Sequence, residues 1–399
     1  MEMVIEVEWA KGLRKVILAA DNRISVVLYK KHMRSAFYYL ILVGAWFTKA
    51  QDISFENYNP TSTLVVPENP VTRAKFPFVD IHSHQWNVTK EKIAQLVKEM
   101  DELNMGTMVN LSGRGFAQGD IDQQEYLATM VRRFQGEAPG RFVVFTNLSF
   151  KDFGTKDWPT KAVAELEADV KNGANGLKIY KSLGLRNVDI NGNRIPIDHP
   201  DLDPVWIKCG ELGIPVLIHS ADPAQFWLPM DSTNERWLEL KINPGRKRSD
   251  TDPAPFDQII AEQHNVFKKH PNTTFINAHM GWMANDLDKA SAHLDMYPNV
   301  NFGIGAVIAE FGRQPRRARE FFIKYQDRIL FGKDAYNKEE FYTYFRVLET
   351  ADEYFPYYKK YHAFWRMYGL DLPDEVLKKV YYKNALRIVP NMDASKFPE

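Results

Sequence analysis

Cysteine is almost absent. Cys209 is the only one in 399 residues, which excludes an intramolecular disulfide and any thiolate metal cluster. Neither charge dominates: Lys+Arg and Asp+Glu both number 51, so nothing favours nucleic acid as a partner. The apolar run from Ala36 to Phe47 stops at 12 residues, short of the roughly 20 that a membrane-spanning helix needs. A glycine-rich phosphate turn after the first strand-like run is missing, which counts against a dinucleotide-binding open sheet. Internal repeats and low-complexity tracts are missing too. What remains is ordinary globular material, 45% hydrophobic and 26% charged, with ample core.

The N-terminal region reads as something other than fold. From Met33 and Arg34 the chain enters the apolar run and leaves it through Thr48-Lys49-Ala50. A basic start, a short hydrophobic run and a small residue at the exit are the layout of a secretory signal over residues 33–50, an uncleaved anchor being the alternative. Residues 1–32 then form an upstream segment. Removing residues 1–50 leaves 43 basic and 47 acidic residues, a net charge of −4. The expectation is an exported protein, periplasmic or secreted, with no stable membrane insertion after cleavage. Residues 51–76 hold Pro60, Pro67 and Pro70 and read as an extended arm; residues 391–399 form a C-terminal tail.

Between them, residues 77–390 alternate short apolar runs with helical patterns. Strands are expected at 78–84, 107–111, 142–147, 176–180, 215–219, 274–279, 300–303 and 329–334. Helical spacing falls in 91–103, 161–171, 204–212 and 256–269. Eight strand–helix units point to an α/β fold, a (β/α)8 TIM barrel with long βα loops. Two of these loops, 181–203 with its Asn191-Gly192 turn and 220–255, are long enough to be lids or binding loops. The aromatic stretch 354–368 is expected to pack as helices over the rim.

The chemistry collects where such a barrel keeps it, at the C-terminal ends of strands. His82 and His84 alternate with Ser83, so both imidazoles point the same way. Lys178, His219, His279 and Asp334 end later strands in turn. Imidazoles with a carboxylate suit zinc, with manganese or iron as alternatives. Arg114, in a Ser-Gly-Arg-Gly loop, is placed to fork onto a substrate carboxylate or to serve as an ordinary loop arginine. Trp86 and Trp282 follow ligand-type histidines and read as pocket walls or as core. His199, His264, His270, His293 and His362 read as solvated or packing residues, Cys209 as a buried helical thiol, and Asp80 as a hydrogen-bonding residue inside the barrel.

The runs Asp80-Ile81-His82-Ser83-His84, Pro215-Val216-Leu217-Ile218-His219, Asn277-Ala278-His279-Met280-Gly281 and Ile329-Leu330-Phe331-Gly332-Lys333-Asp334, with Leu372–Leu377 and Tyr382–Ala385 as a closing helix, carry a resemblance. The chain resembles the amidohydrolase superfamily, in its amidohydrolase-related branch of metal-dependent hydrolases and decarboxylases. The resemblance implies that His82, His84, His219 and Asp334 bind the principal metal. It implies that His279 polarises the substrate carbonyl or binds a second ion, and that Asp334 moves the proton. Lys178 would carry a bridging carbamate, contact a substrate carboxylate or form a salt bridge. The expected activity is hydrolysis of a small-molecule amide, ester or lactone, with one or two ions. A non-oxidative decarboxylase and a metal-free periplasmic ligand-binding barrel are the alternatives, and the oligomeric state stays open.

Overall fold

A computed structural model describes residues 3–9, 13–20, 23–30, 52–115, 123–362 and 365–398. The chain divides into two compact units, Met1–Tyr58 and Asn59–Glu399. In the first, β1 (Met3–Trp9), β2 (Leu13–Ala20) and β3 (Arg23–Lys30) form an antiparallel meander in the register Ile5↔Ile17 and Val16↔Val27. The sequence reading expects no folded element there. The signal-like segment 33–50 lies outside the described residues.

The second unit begins with residues 59–77, which carry no helix or strand. Then come β4 (Phe78–Ser83), β5 (Met105–Asn110), β6 (Phe142–Val144), β7 (Thr146–Asn147), β8 (Leu177–Ile179), β9 (Val216–Ile218), β10 (Phe275–Asn277), β11 (Val300–Gly303) and β12 (Ile329–Leu330). Neighbours pair in parallel along β4-β5-β6 and along β7-β8-β9-β10-β11-β12. Phe145 joins β6 to β7, its N–H donating to Asn110 O at 2.9 Å, so the two make one interrupted stave. The ring closes where Ile81 N–H donates to Phe331 O at 3.1 Å and Asp334 N–H to His82 O at 2.7 Å. The result is an eight-stave (β/α)8 barrel, each stave overlapping an expected strand.

Both faces of these strands are covered, so the sequence shows continuous apolar runs in place of alternation. All six residues of β4 are buried. The outer helices bury one stripe each: Phe256–Lys269 turns Ile259, Ile260, Gln263, Val266 and Phe267 inward. Thr89 caps the helix Lys90–Leu103 by accepting from Lys92 N–H at 3.2 Å. Cys209 is fully buried in the helix Asp203–Glu211. Near the C-terminus, Asp374–Lys378 continues through a wide turn at Lys379–Lys383 into Asn384–Ile388 as the closing helix.

The stretch 354–368 departs from expectation. Beyond one helical turn at Lys360–His362, it pairs β13 (Phe355–Pro356) with β14 (Arg366–Met367) as an antiparallel ribbon. Pro356 has no N–H to give a helix, and Trp365 is held from outside by the Arg313 guanidinium, 3.9 Å from its ring centre. No described helix is long and apolar enough to cross a membrane.

Candidate metal centre and adjoining cavity

Asp80, one layer below the histidines, fixes the backbone that carries them. Its Oδ1 accepts from His82 N–H at 3.0 Å and from Lys333 N–H at 3.1 Å, tying β4 to the exit of β12. Burial pushes the Asp80 carboxyl up to about 7, against the pull of those two amides. Gly305 and Gly332 leave room for the imidazole of His82. A Cβ on Gly305 would stand 3.3 Å from His82 Nδ1, and one on Gly332 would stand 3.0 Å from His82 Cβ.

The expected strand-end residues meet at one rim. Ligand atoms of His82, His279 and Asp334 all lie within 4.8 Å of one another. Asp334 Oδ1 is 3.4 Å from His82 Nε2 and 3.7 Å from His84 Nε2. His219 Nδ1 is 3.2 Å from His279 Nε2. The four imidazoles and the Asp334 carboxylate thus lie in one cluster.

Hydrogen bonds on the far nitrogens set the tautomers. His279 Nδ1 lies 2.6 Å from Gly305 O, and a carbonyl can only accept, so the proton sits on Nδ1 and Nε2 keeps its lone pair. His84 Nδ1 is 2.9 Å from Ser112 Oγ, which is in turn 3.0 Å from Tyr180 OH. Neither nitrogen of His82, nor Nε2 of His219, has a hydrogen-bond partner, although all three are buried. Orphaned buried polar atoms cost roughly 1–3 kcal/mol each. A cation held by His82 Nε2, His219 Nε2 and the Asp334 carboxylate would remove that cost at those two nitrogens, and the donor set suits a divalent ion.

The electrostatics keep the ring nitrogens ready to ligate. Burial, reinforced by Lys178, holds His82 well below its ordinary value and lowers His84 to about 4, with Asp334 opposing at His84. Burial also lowers His279 to about 4 and His219 well below the ordinary range. For Asp334, burial pushes the carboxyl up, but His279, His84 and Lys178 outweigh it, leaving the group below its usual value and ionised at neutral pH.

The turn after β10 carries the strain of the site. His279, Met280, Gly281 and Trp282 all have positive φ, between 52° and 61°. A left-handed conformation costs a non-glycine residue about 1–2 kcal/mol, and such strain collects at functional sites. It lays the Trp282 ring on His279, centroids 4.7 Å apart, with Trp282 Nε1 donating to Ser220 O at 3.0 Å. Trp282 is therefore a wall of the centre, whereas Trp86 is 41% exposed.

A cavity of about 1310 Å³ opens beside β8 and is lined in part by Lys178, Tyr180, Phe150 and Arg186. Lys178 is fully buried, its Nζ without a hydrogen-bond partner. Burial lowers its pKa to about 7, against the pull of Asp334.

Arg114 is engaged by its own chain. Its Nε donates to Asp169 at 2.6 Å and its Nη1 to Glu165 at 2.7 Å, both on the helix Trp158–Lys171. The remaining histidines have packing or pairing roles: His270 meets Asp203 at 2.9 Å, and the His264 and His293 rings pack at a tilt, centroids 4.6 Å apart. Ser112 and Gly305 were not singled out from the sequence. Each acts through a partner remote in the chain, and nothing local marks that.

A family model described as amidohydrolase matches residues 79–390. The chain belongs to the amidohydrolase family. Amidohydrolases of this kind are enzymes, and the chain is an enzyme of that superfamily. No curated protein matches its sequence. Similar solved structures include 4-oxalomesaconate hydratase from Rhodopseudomonas palustris, at 17% identity and TM-score 0.48, covering 80% of this chain and 97% of that one. An amidohydrolase from Burkholderia multivorans with bound zinc has 12% identity and TM-score 0.42, covering 79% and 100%. A TIM-barrel protein from Bordetella bronchiseptica has 16% identity and TM-score 0.46, covering 75% and 83%.

Proposed function

We propose that this amidohydrolase is a divalent-metal-dependent hydrolase of a small-molecule amide, ester or lactone. The observation that carries the reading is the meeting of His82, His279 and Asp334 ligand atoms at the strand-end rim, with the buried His82 Nε2 orphaned there. His82, His84, His219 and Asp334 would hold the cation, zinc before manganese or iron, with His279 available to a second ion. Bound there, the cation would supply Lewis acidity and lower the pKa of water from about 15.7 towards about 7.

The side chains account for the rest. Asp334, ionised and with its side chain 36% exposed, accepts the proton of the attacking water and returns it to the leaving nitrogen or oxygen. His279 presents a lone pair at Nε2, which suits a ligand or a proton acceptor better than a donor to a carbonyl. Ser112 and Gly305 hold the rings of His84 and His279 in the orientation this needs. Trp282 covers one side of the cluster and keeps water off it.

Assay of the purified protein against amides, esters and lactones in ¹⁸O-water tests the proposal. The expected result is metal-dependent turnover with one labelled oxygen in the acid product. Release of CO₂ without water uptake would replace hydrolysis by decarboxylation, and binding without turnover or metal would leave only a ligand-binding barrel. Export through residues 33–50 belongs to the same proposal, and a mature N-terminus near Gln51 in the exported fraction checks it.

A further inference from the structure

Lys178 is the one residue at the rim whose charge the metal cluster does not use. Its Nζ is buried, has no hydrogen-bond partner, and lines the cavity beside β8. Asp334 acts on it through space, yet no hydrogen bond joins them. A buried ammonium is costly until an anion meets it.

The cavity reinforces the demand. Among the described residues its lining carries Lys181, Arg186, Arg246 and Arg248 besides Lys178, against one carboxylate, Glu165, which is spent on Arg114. The counter-charges come from behind the lining. Asp222 takes both Lys181 and Arg248, and Glu239 takes Arg246. Those pairs fix the basic groups in place. Among the described residues none forms a hydrogen bond or ion pair with Lys178 Nζ. Tyr180 stands beside it, Nζ 5.6 Å from the ring centre, with its hydroxyl already engaged by Ser112.

We infer that the substrate carries a carboxylate that pairs with Lys178 Nζ, while its scissile carbonyl lies at the rim where His82 and Asp334 meet. The cavity then holds the body of a small carboxylic acid derivative, with Phe150 and Tyr180 along its flank. The inference rests on the proposed hydrolase reading of the site and adds the chemical class of the substrate. Lys178 is a specificity determinant in this account, and its amine stays unmodified.

Calorimetric titration of the metal-loaded, full-length protein tests it, using linear dicarboxylates of three to eight carbons, each beside its neutral diamide. At least one dicarboxylate is expected to bind about tenfold or more tightly than its diamide. Lys178→Met is expected to erase that preference while keeping the metal content of the wild type, and Lys178→Arg to restore part of it. Three results would overturn the inference: no dicarboxylate preferred over its diamide, a preference that survives in Lys178→Met, or an intact mass showing CO₂ added to Lys178. The comparison of acid with diamide in the unmutated protein needs no variant to fold. Turnover of neutral esters with no carboxylate preference would sink this inference and leave the hydrolase proposal standing. Carboxylate binding by a protein without turnover would do the reverse.

Discussion

Replacing Arg114 by Met separates a structural arginine from a substrate-binding one. Arg114 Nε meets Asp169 Oδ2 at 2.6 Å with both side chains almost fully buried, 4% and 1% exposed. Removing one partner of such a pair strands the other charge, which costs about 3–5 kcal/mol. Asp169 would keep only the Thr146 hydroxyl at Oδ2, and its Oδ1 already lacks a partner. The second limb, to Glu165, is 41% exposed on the acid side, so its loss adds at most about 1 kcal/mol. Urea unfolding of Arg114→Met should therefore show a loss of about 3–5 kcal/mol at unchanged slope. The double variant Arg114→Met/Asp169→Leu should recover most of it, because no buried charge is left unpaired. Activity per folded molecule should change little. A variant that loses under about 1 kcal/mol but raises KM strongly would place the guanidinium on the substrate and refute the reasoning.

Three other outcomes follow from the same geometry. Ser112→Ala removes the group that orients His84, and chelator competition should show metal affinity down about 10–100-fold with the fold retained; unchanged affinity would contradict that role. Gly305→Ala sets a methyl 3.3 Å from His82 Nδ1, so metal affinity should fall in this variant, and calorimetry should show a lower Tm; a variant indistinguishable from wild type would mean the cradle is loose. Acid stability should depend on His293, whose pKa burial lowers to about 3, with His264 and Arg328 adding to the effect. Below its unfolded value near 6.5 the unfolded chain binds the extra proton. Its share of stability is therefore complete above about pH 6.5 and is lost as pH falls towards 3, by at most about 1.4 kcal/mol per unit. Urea unfolding between pH 7 and 4 should show a shallower loss in His293→Leu, and parallel curves would count against it.

The barrel was legible because strands covered on both faces leave continuous β-branched and aromatic runs, and the eight expected runs all overlap staves. The rim residues were legible for a related reason. His82, His84, His219, His279 and Asp334 lie at or just past the ends of such runs and Lys178 within one, and position at a strand end means position at the rim. What the sequence hid is pairing over distance. Arg114 meets Asp169 from 55 residues away, so its loop context alone left two roles open. The same holds for Gly305 under His279 and for Ser112 under His84. The 354–368 stretch is rich in aromatics, which pack in helices and strands alike, and only Pro356 inside it argues for the ribbon. The meander at 3–30 is obscured by the leader-like segment that follows it, although its strands alternate with period 2.

Metal content of the purified full-length chain, wild type beside His82→Ala, tests the central claim most directly. The account predicts one or two equivalents of a divalent metal in the wild type and less than about a tenth of an equivalent in the variant, with its far-UV spectrum unchanged. A wild type that takes up no metal after supplementation, or a variant that holds as much as the wild type, would contradict it.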